Sequence, residues 1–475
     1  MNILFVAAEC SPFVKIGGLA DVIGSLPQAL KHLNNCEVRV IIPKYKIIPN
    51  KYKDKMSLIK EFWIELGDKK TIYVGLQTLK LGAIRYYFID NLYSFGDRDN
   101  VYNYNDDSER FAYFQKAVIE SLPYLDFKPD IIHVNDWHAA MIPLLLKSKY
   151  SQYDNIKTVL TIHNLAYQGI FSINDYHYFN INYDSRFEYE GFLNYLKSGI
   201  VCADLVTTVS ATYAKEIMTD AFGHGMQLLL RQRASSVVGI INGISHIEYN
   251  PASDRLLAEN YDYLSVESGK KSNKLMLYRR LNADFNIHLP LISIISRLVE
   301  QKGLDLVCSI IEEVLDTYEC VFVVLGNGEA DFETFFQKLA IKYPKKVRIY
   351  IGFDNRLAHL IYAASDLFLM PSKFEPCGLG QLIALRYGTL PLVRETGGLA
   401  DTVIPYNELD STGYGFSFSR YNPKDLHKTI NYALNIYNDS HKSWDLLVQN
   451  AMAADFGWPR FAKLYKKQYH KLLKG

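Results

Sequence analysis

Met1-Asn2-Ile3-Leu4-Phe5-Val6-Ala7-Ala8 leads within a few residues into Pro12-Phe13-Val14-Lys15-Ile16-Gly17-Gly18-Leu19-Ala20-Asp21. An apolar run followed by a glycine pair and a Leu-Ala-Asp that can open a helix reads as the first strand, ligand loop and first helix of a doubly wound α/β sheet. The pentapeptide Gly-Gly-Leu-Ala-Asp returns at Gly397 to Asp401, in the other half of the chain. In each copy the glycines are expected to let the backbone come close to a ligand, and the helix N-terminus to offer N–H groups to an anion. Lys15 before the first copy suits a pyrophosphate, and Arg394-Glu395-Thr396 before the second adds a hydroxyl donor. The duplication therefore predicts two nucleotide-sugar-shaped halves facing one cleft.

Outward from the first loop, short β-branched runs alternate with longer stretches of helical period, the pattern of parallel βα units. Strands are expected at residues 3–7, 38–42, 131–134, 158–162, 205–209 and 237–241, and in a second series at 291–296, 321–325, 347–351, 367–370 and 390–393. The polar stretch 245–286, with Asn250-Pro251 and Ser268-Gly269-Lys270-Lys271, reads as a crossing between domains plus a surface excursion. Two Rossmann-like parallel sheets in tandem place their ligand loops at the carboxyl ends of the strands. The expected domains are 1–244, 245–457 and a final helix, 458–475, returning to the first.

Composition narrows the partners. A chain of 475 residues fits two or three α/β domains, and 52 basic against 51 acidic side chains leave no bulk charge to hold a nucleic acid or an acidic membrane. Six cysteines, scattered without a Cys-x-x-Cys pair, indicate neither zinc nor a disulfide framework, and make a reducing cytoplasm the default. The N-terminus lacks a basic n-region, so it is expected to be a strand and not a signal, and no apolar run approaches the ~18 residues of a spanning helix.

Three clusters at strand ends carry the chemistry. His133-Val134-Asn135-Asp136-Trp137-His138 and Thr161-Ile162-His163-Asn164 gather imidazole, carboxylate and amide groups able to grip a polyhydroxylated ring. Each of the three histidines could equally be a core residue, and no spacing matches a metal motif. After Leu291–Ile295, Arg297 and Lys302 sit five apart on a loop entering a helix, where both heads could converge on one phosphate pair unless they are simply solvated. Pro371-Ser372-Lys373-Phe374-Glu375-Pro376-Cys377-Gly378-Leu379-Gly380-Gln381 offers one carboxylate and a turn of N–H groups. Glu375 either holds sugar hydroxyls or caps its helix, and Cys377, with no paired base in sequence, reads as a packed wall residue. The tyrosine-rich stretch from Asp90 to Phe114 is open to two readings, acceptor lining or packing.

These motifs, spread over the full length, resemble the bacterial enzymes of the glycogen/starch synthase family, retaining glycosyltransferases with the two-domain GT-B fold. The resemblance runs from Lys15-Ile16-Gly17-Gly18-Leu19-Ala20-Asp21 through Ser296-Arg297 and Gln301-Lys302-Gly303 to Phe374-Glu375-Pro376-Cys377-Gly378-Leu379. It continues into Gly388-Thr389-Leu390-Pro391-Leu392-Val393-Arg394. It implies transfer of glucose from ADP-glucose to the non-reducing end of an α-1,4-glucan or maltooligosaccharide with retention, no metal or other cofactor, and closure of the two halves about Asn242 and a crossing near Asp455 to Trp458. By that resemblance Lys15, Gly17 and Gly18 bind the donor, with Asp21 near its glucose end. Asp136, His163 and Asn164 line the reacting sugar, and Asn242 closes it. Arg297 and Lys302 take the diphosphate, Glu375 holds glucose hydroxyls, and Cys377, Gly378, Leu379 and Gly380 with Thr396 and Gly398 complete the anion pocket.

The chain departs from the family pattern at four places. Ile16 replaces a common threonine, Gly380 stands where a threonine often meets phosphate, Gly352-Phe353-Asp354 has phenylalanine where a tyrosine often stacks on adenine, and Ser245 replaces an aspartate. These leave UDP-glucose open as donor. The rival readings are another retaining GT-B transferase with a different acceptor and a glucan-binding protein without turnover. A second glutamate eight residues after Glu375 would favour the first, but that position is Ile383.

Overall fold

In the computed structural model, which describes residues 1–68 and 70–474, the N-terminal apolar run is a fully sheet-bound strand. β1 (Asn2–Val6) lies at the middle of a nine-stranded sheet with β2 (Glu37–Pro43), β3 (Ser57–Leu66), β4 (Lys70–Leu81), β5 (Ile84–Asp90), β6 (Ile131–Asn135) and β7 (Lys157–Ile162). A small antiparallel sheet of β8 (Ile170–Ser172), β9 (Glu188–Tyr189) and β10 (Phe192–Asn194) stands apart, and β11 (Leu205–Thr208) and β12 (Val237–Gly239) complete the large one. The order is β12-β11-β7-β6-β1-β2-β5-β4-β3. From β12 to β5 every pairing is parallel, which explains why these strands are near-continuous apolar runs, covered on both faces.

β4 and β3 are an antiparallel extension that the strand reading missed. Their charged and hydroxylated residues, such as Lys60, Glu61 and Thr71, disguise them, because β3 is an edge with its outer half exposed. The expected strands are present, with ends shifted by a residue or two.

The chain forms two compact units, Met1–Gly243 with Trp458–Gly475, and Ile244–Gly457. In the first, the helix Gly18–Lys31 buries Leu19, Ala20, Val22, Ile23, Leu26 and Leu30, the spacing of one helical face, and packs against the last helix, Trp458–Lys474. That last helix buries Trp458, Phe461, Ala462, Tyr465 and Tyr469 and turns its lysines outward.

The second unit is built on six parallel strands: β13 (Leu291–Ile295), β14 (Val321–Gly326), β15 (Val347–Ile351), β16 (Leu367–Met370), β17 (Leu390–Arg394) and β18 (Phe416–Phe418). Their order is β15-β14-β13-β16-β17-β18. The stretch expected to be a surface excursion is corrected here. It contains the helix Val266–Arg280, which packs on the helix Asn355–Ala364 and buries Lys270, Asn273 and Lys274. Polar composition suggested solvent, but each polar head has a partner. Lys270 donates to the carbonyls of Ala363 and Tyr387 and to the Thr389 hydroxyl, and Lys274 pairs with Asp366 at 2.7 Å. Burial pushes the Lys270 ammonium down to about 7.

Candidate active site

In the first unit, the adjacent parallel strands β7, β6 and β1 release their chains at the same edge, which collects His163–Asn164, Asp136 and Glu9. Asp136 Oδ1 accepts from the His163 N–H at 2.8 Å, and His163 Nε2 meets Asn135 Oδ1 at 3.0 Å. Asp136 has φ 54 and ψ −175, a region that residues with a Cβ rarely occupy. Burial pushes its carboxyl up to about 7, helped by the negative charge of Glu9 and opposed by the backbone N–H groups of His163 and Asn164. Burial holds the His163 imidazole down at about 3, so at neutral pH it is an uncharged ring and an unsuitable proton donor. Asn164 Oδ1 accepts from the Ala166 N–H. Asn242, after β12, is 5% exposed, and its Oδ1 finds no partner among the described residues.

The other two histidines of the cluster are core residues. His133 is fully buried between Tyr469 OH (2.7 Å, at Nδ1) and Thr161 Oγ1 (2.5 Å, at Nε2), and His138 stacks on Trp137 at 3.9 Å. Likewise Tyr113 is buried with its hydroxyl on the Tyr73 carbonyl, Tyr102 donates to Glu9, and Tyr93 alone of Tyr93, Tyr102 and Tyr113 is mostly exposed.

The glycine loop itself projects outward. Lys15, Ile16, Gly17 and Gly18 are exposed, a Cβ on Gly17 would meet nothing within 4 Å, and Lys15 pairs with Asp21 at 2.7 Å.

In the second unit, Lys302 and Glu375 are brought together. Lys302 Nζ donates to Glu375 Oε2 at 2.6 Å, and the Ser372 hydroxyl donates to the same oxygen at 3.1 Å. Glu375 is 6% exposed, and its Oε1 accepts from none of the described residues, so one acceptor remains for a ligand hydroxyl. The helix-cap reading of Glu375 is excluded, since the next helix, Gly380–Arg386, is preceded by Leu379. Gly303, at φ 69, makes this pairing possible: a Cβ there would lie 2.0 Å from the Pro371 carbonyl oxygen. The expected convergence of Arg297 and Lys302 on one point is modified, because Arg297 stands exposed with Nη2 3.3 Å from Gln301 Oε1 while Lys302 is turned to Glu375.

Beyond Glu375, Gly378 has φ 72 and Leu379 is right-handed, a left–right succession that points consecutive N–H groups into one concavity. Gln381 Nε2 holds the back of that turn, 3.0 Å from the carbonyls of both Cys377 and Gly378 and 3.1 Å from Thr402 Oγ1. Cys377 is buried, as expected of a wall residue, and a Cβ on Gly380 would come 2.9 Å from the Phe368 ring, which accounts for glycine at that position.

The second Gly-Gly-Leu-Ala-Asp is not a second ligand loop. Its glycines are buried, a Cβ on Gly397 would lie 2.0 Å from the Glu375 oxygen and one on Gly398 2.2 Å from the Cys377 oxygen, and the Gly398 N–H is spent on the carbonyls of Glu375 and Pro376. Gly398 therefore packs behind the Glu375–Gly380 turn and does not meet an anion, while Thr396, before the short helix Gly397–Thr402, is 1% exposed. Glu9, Ser372, Gln381 and Thr402 were missed by the sequence reading. Only Glu9, a lone acid at the end of the first strand, carried a signal that could have been used.

The starch synthase catalytic domain profile matches residues 2–232, and that of glycosyl transferases group 1 matches 283–445. A glycogen synthase of Anoxybacillus flavithermus is 45% identical over 487 residues, covering 100% of this chain and 99% of the relative. The chain belongs to the glycogen/starch synthase family. A glycogen synthase of Bacillus subtilis is 46% identical, with 99% and 98% coverage. Among solved structures, the catalytic domain of starch synthase IV from Arabidopsis thaliana, bound to ADP and acarbose, superposes with a TM-score of 0.92 at 31% identity over 100% of this chain and 99% of that one. A sucrose-phosphate synthase from Thermosynechococcus elongatus, at 15% identity and TM-score 0.62, shares the fold. The family member is a glycosyltransferase of GT-B fold. Among the described residues no helix is long and apolar enough to cross a membrane, and no cluster of three or more His, Cys, Asp or Glu could hold a metal.

Proposed function

We propose that this family member transfers glucose from ADP-glucose to the non-reducing end of an α-1,4-glucan in the cytoplasm, with retention and without a cofactor. The observation that carries the reading is the full-length likeness to a starch synthase domain solved with ADP, the fragment that remains when glucose leaves ADP-glucose. The exposed Phe353 ring at the end of β15 supports an adenine base. Phenylalanine keeps the stacking face of a tyrosine and lacks only its hydroxyl.

In the step itself, the bond from the anomeric carbon to the diphosphate oxygen breaks, and the acceptor hydroxyl oxygen bonds to the same face of that carbon. The acceptor proton passes to the departing diphosphate oxygen. In the second unit Arg297, Lys302 and the N–H groups of Gly378, Leu379 and Gly380 stabilise the developing negative charge, and in the first unit Lys15 is a donor-binding cation. Glu375 Oε1 receives glucose hydroxyls, while Ser372 and Lys302 fix the carboxylate. Asp136, His163, Asn164, Asp21 and Asn242 surround the sugar. Asp136 is the carboxylate to exclude as the nucleophile of a double displacement. Its elevated proton affinity instead suits a hydrogen bond to the sugar.

The test is incorporation from radiolabelled ADP-glucose and, separately, UDP-glucose into maltooligosaccharides, followed by digestion with an exo-hydrolase specific for α-1,4 links. Incorporation from neither donor, or product resistant to the hydrolase, refutes the reading.

A further inference from the structure

We propose that Glu9 is a positioning residue for glucosyl transfer, holding the Lys15–Gly17 loop in its working shape from beneath. The inference rests on the reading of Lys15 as a donor-binding group. Glu9 is 4% exposed, at the end of β1, and a carboxylate there must satisfy its lone pairs locally. Oε2 accepts from the N–H of Ile16 at 2.6 Å and of Gly17 at 2.9 Å, and Oε1 accepts from Tyr102 OH at 2.6 Å.

Besides these bonds, the Lys15–Asp21 ion pair at 2.7 Å ties the lysine head to the first helix, but the backbone of the tip has few other contacts. The base of the loop is closed by the reciprocal backbone bonds of Cys10 with Val14 and by Ser11 N–H on the Ala20 carbonyl. Its tip, Lys15 to Gly18, is exposed, with open space beyond Gly17. Two charge-assisted bonds to consecutive N–H groups therefore set the direction of the backbone at that tip, and from it the reach of Lys15, whose head rests on Asp21. The same two bonds turn those N–H groups inward. The Lys15 ammonium, and not the Ile16 and Gly17 amides, is then the part of this loop that reaches an anion, which differs from a glycine loop that cradles phosphate with its backbone. Tyr102 links the arrangement to the chain before the helix Asp107–Ser121, its ring 4.8 Å from His138.

A buried carboxylate could instead serve stability alone, and a double-mutant cycle separates the two. Glu9→Gln keeps volume and one acceptor but removes the charge; Lys15→Ala removes the group the loop presents. With ADP-glucose as donor, Glu9→Gln is expected to lower kcat/KM on the order of 10-fold to 100-fold and to leave the KM for maltooligosaccharide unchanged. The double variant should be within about 3-fold of the worse single one, because the second change has nothing left to disturb. Tyr102→Phe, which leaves Oε1 without its donor, should lower kcat/KM about 3-fold and show the same non-additivity with Lys15→Ala. It serves if Glu9→Gln does not fold, as read by its thermal midpoint. Losses that multiply, or a folded Glu9→Gln within about 2-fold of the parent, overturn the inference. A parent protein inactive with both ADP-glucose and UDP-glucose refutes the donor reading instead.

Discussion

Replacing Asp136 by asparagine should make the protein more stable while making it a poorer enzyme, and the gain should grow with pH. Asp136 sits at a strand end where burial pushes its carboxyl from 3.8 to about 7. The sign follows from linkage: with the folded pKa raised, the folded state binds the proton more tightly, so stability is full below about 4 and falls as pH rises from there to about 7. The gap corresponds to ~4 kcal/mol as a ceiling at pH 8, and to roughly half that once the partly open side chain is discounted for solvent screening. The replacement amide keeps an oxygen for the His163 N–H and has no charge to bury, so the wild-type penalty disappears. The gain at pH 8 over that at pH 5 should be ~1 to 3 kcal/mol, or about 2 to 6 °C in the midpoint of a unit this size. The assay is thermal unfolding of both proteins from pH 5 to 8. A difference between them that is flat or shrinks with rising pH would falsify the argument that burial sets this carboxyl. Turnover by Asp136→Asn should fall on the order of 100-fold or more.

The two pentapeptides should respond oppositely to one methyl group: Gly17→Ala costs within ~0.5 kcal/mol of stability, whereas Gly397→Ala, driving a Cβ into the Glu375 carbonyl at a left-handed φ of 45, costs ~2 to 4 kcal/mol by urea denaturation. Equal costs would refute the division of roles. Lys302→Ala leaves Glu375 buried with Ser372 as its one remaining donor, and should lose ~2 kcal/mol of stability along with most turnover; a fully stable variant would mean the pair is not held as described. Phe353→Ala should raise the KM for ADP-glucose about 10-fold with kcat little changed, in keeping with loss of base stacking, and an unchanged KM would place the base elsewhere.

Apart from β5 and the short β18, which the reading missed, the parallel strands were legible because burial on both faces writes them as unbroken apolar runs, and the strand-end residues Asp136, His163, Arg297, Lys302 and Glu375 followed from where those runs stop. The hairpin of β3 and β4 was not, since an exposed edge is written in charged residues. The helix carrying Lys270 and Lys274 was hidden for the converse reason, its lysine heads being answered in large part by the Ala363 and Tyr387 carbonyls and by Asp366, residues ninety or more positions away. The identity of the two pentapeptides misled most. Sequence shows that Gly17 and Gly397 lack a Cβ, but only the structure shows that the first faces open space and the second a backbone carbonyl.

The last helix, Trp458–Lys474, belongs to the first unit, and the Tyr469 hydroxyl lies 2.7 Å from Nδ1 of the buried His133 of β6, 336 positions earlier. During synthesis the second unit, a continuous stretch, can close on itself as soon as its own residues are out. The unit that begins the chain must wait, with the core beneath its central strands unsealed, until the end arrives. Clipping the chain just after Gly457 would therefore injure the half that was made first.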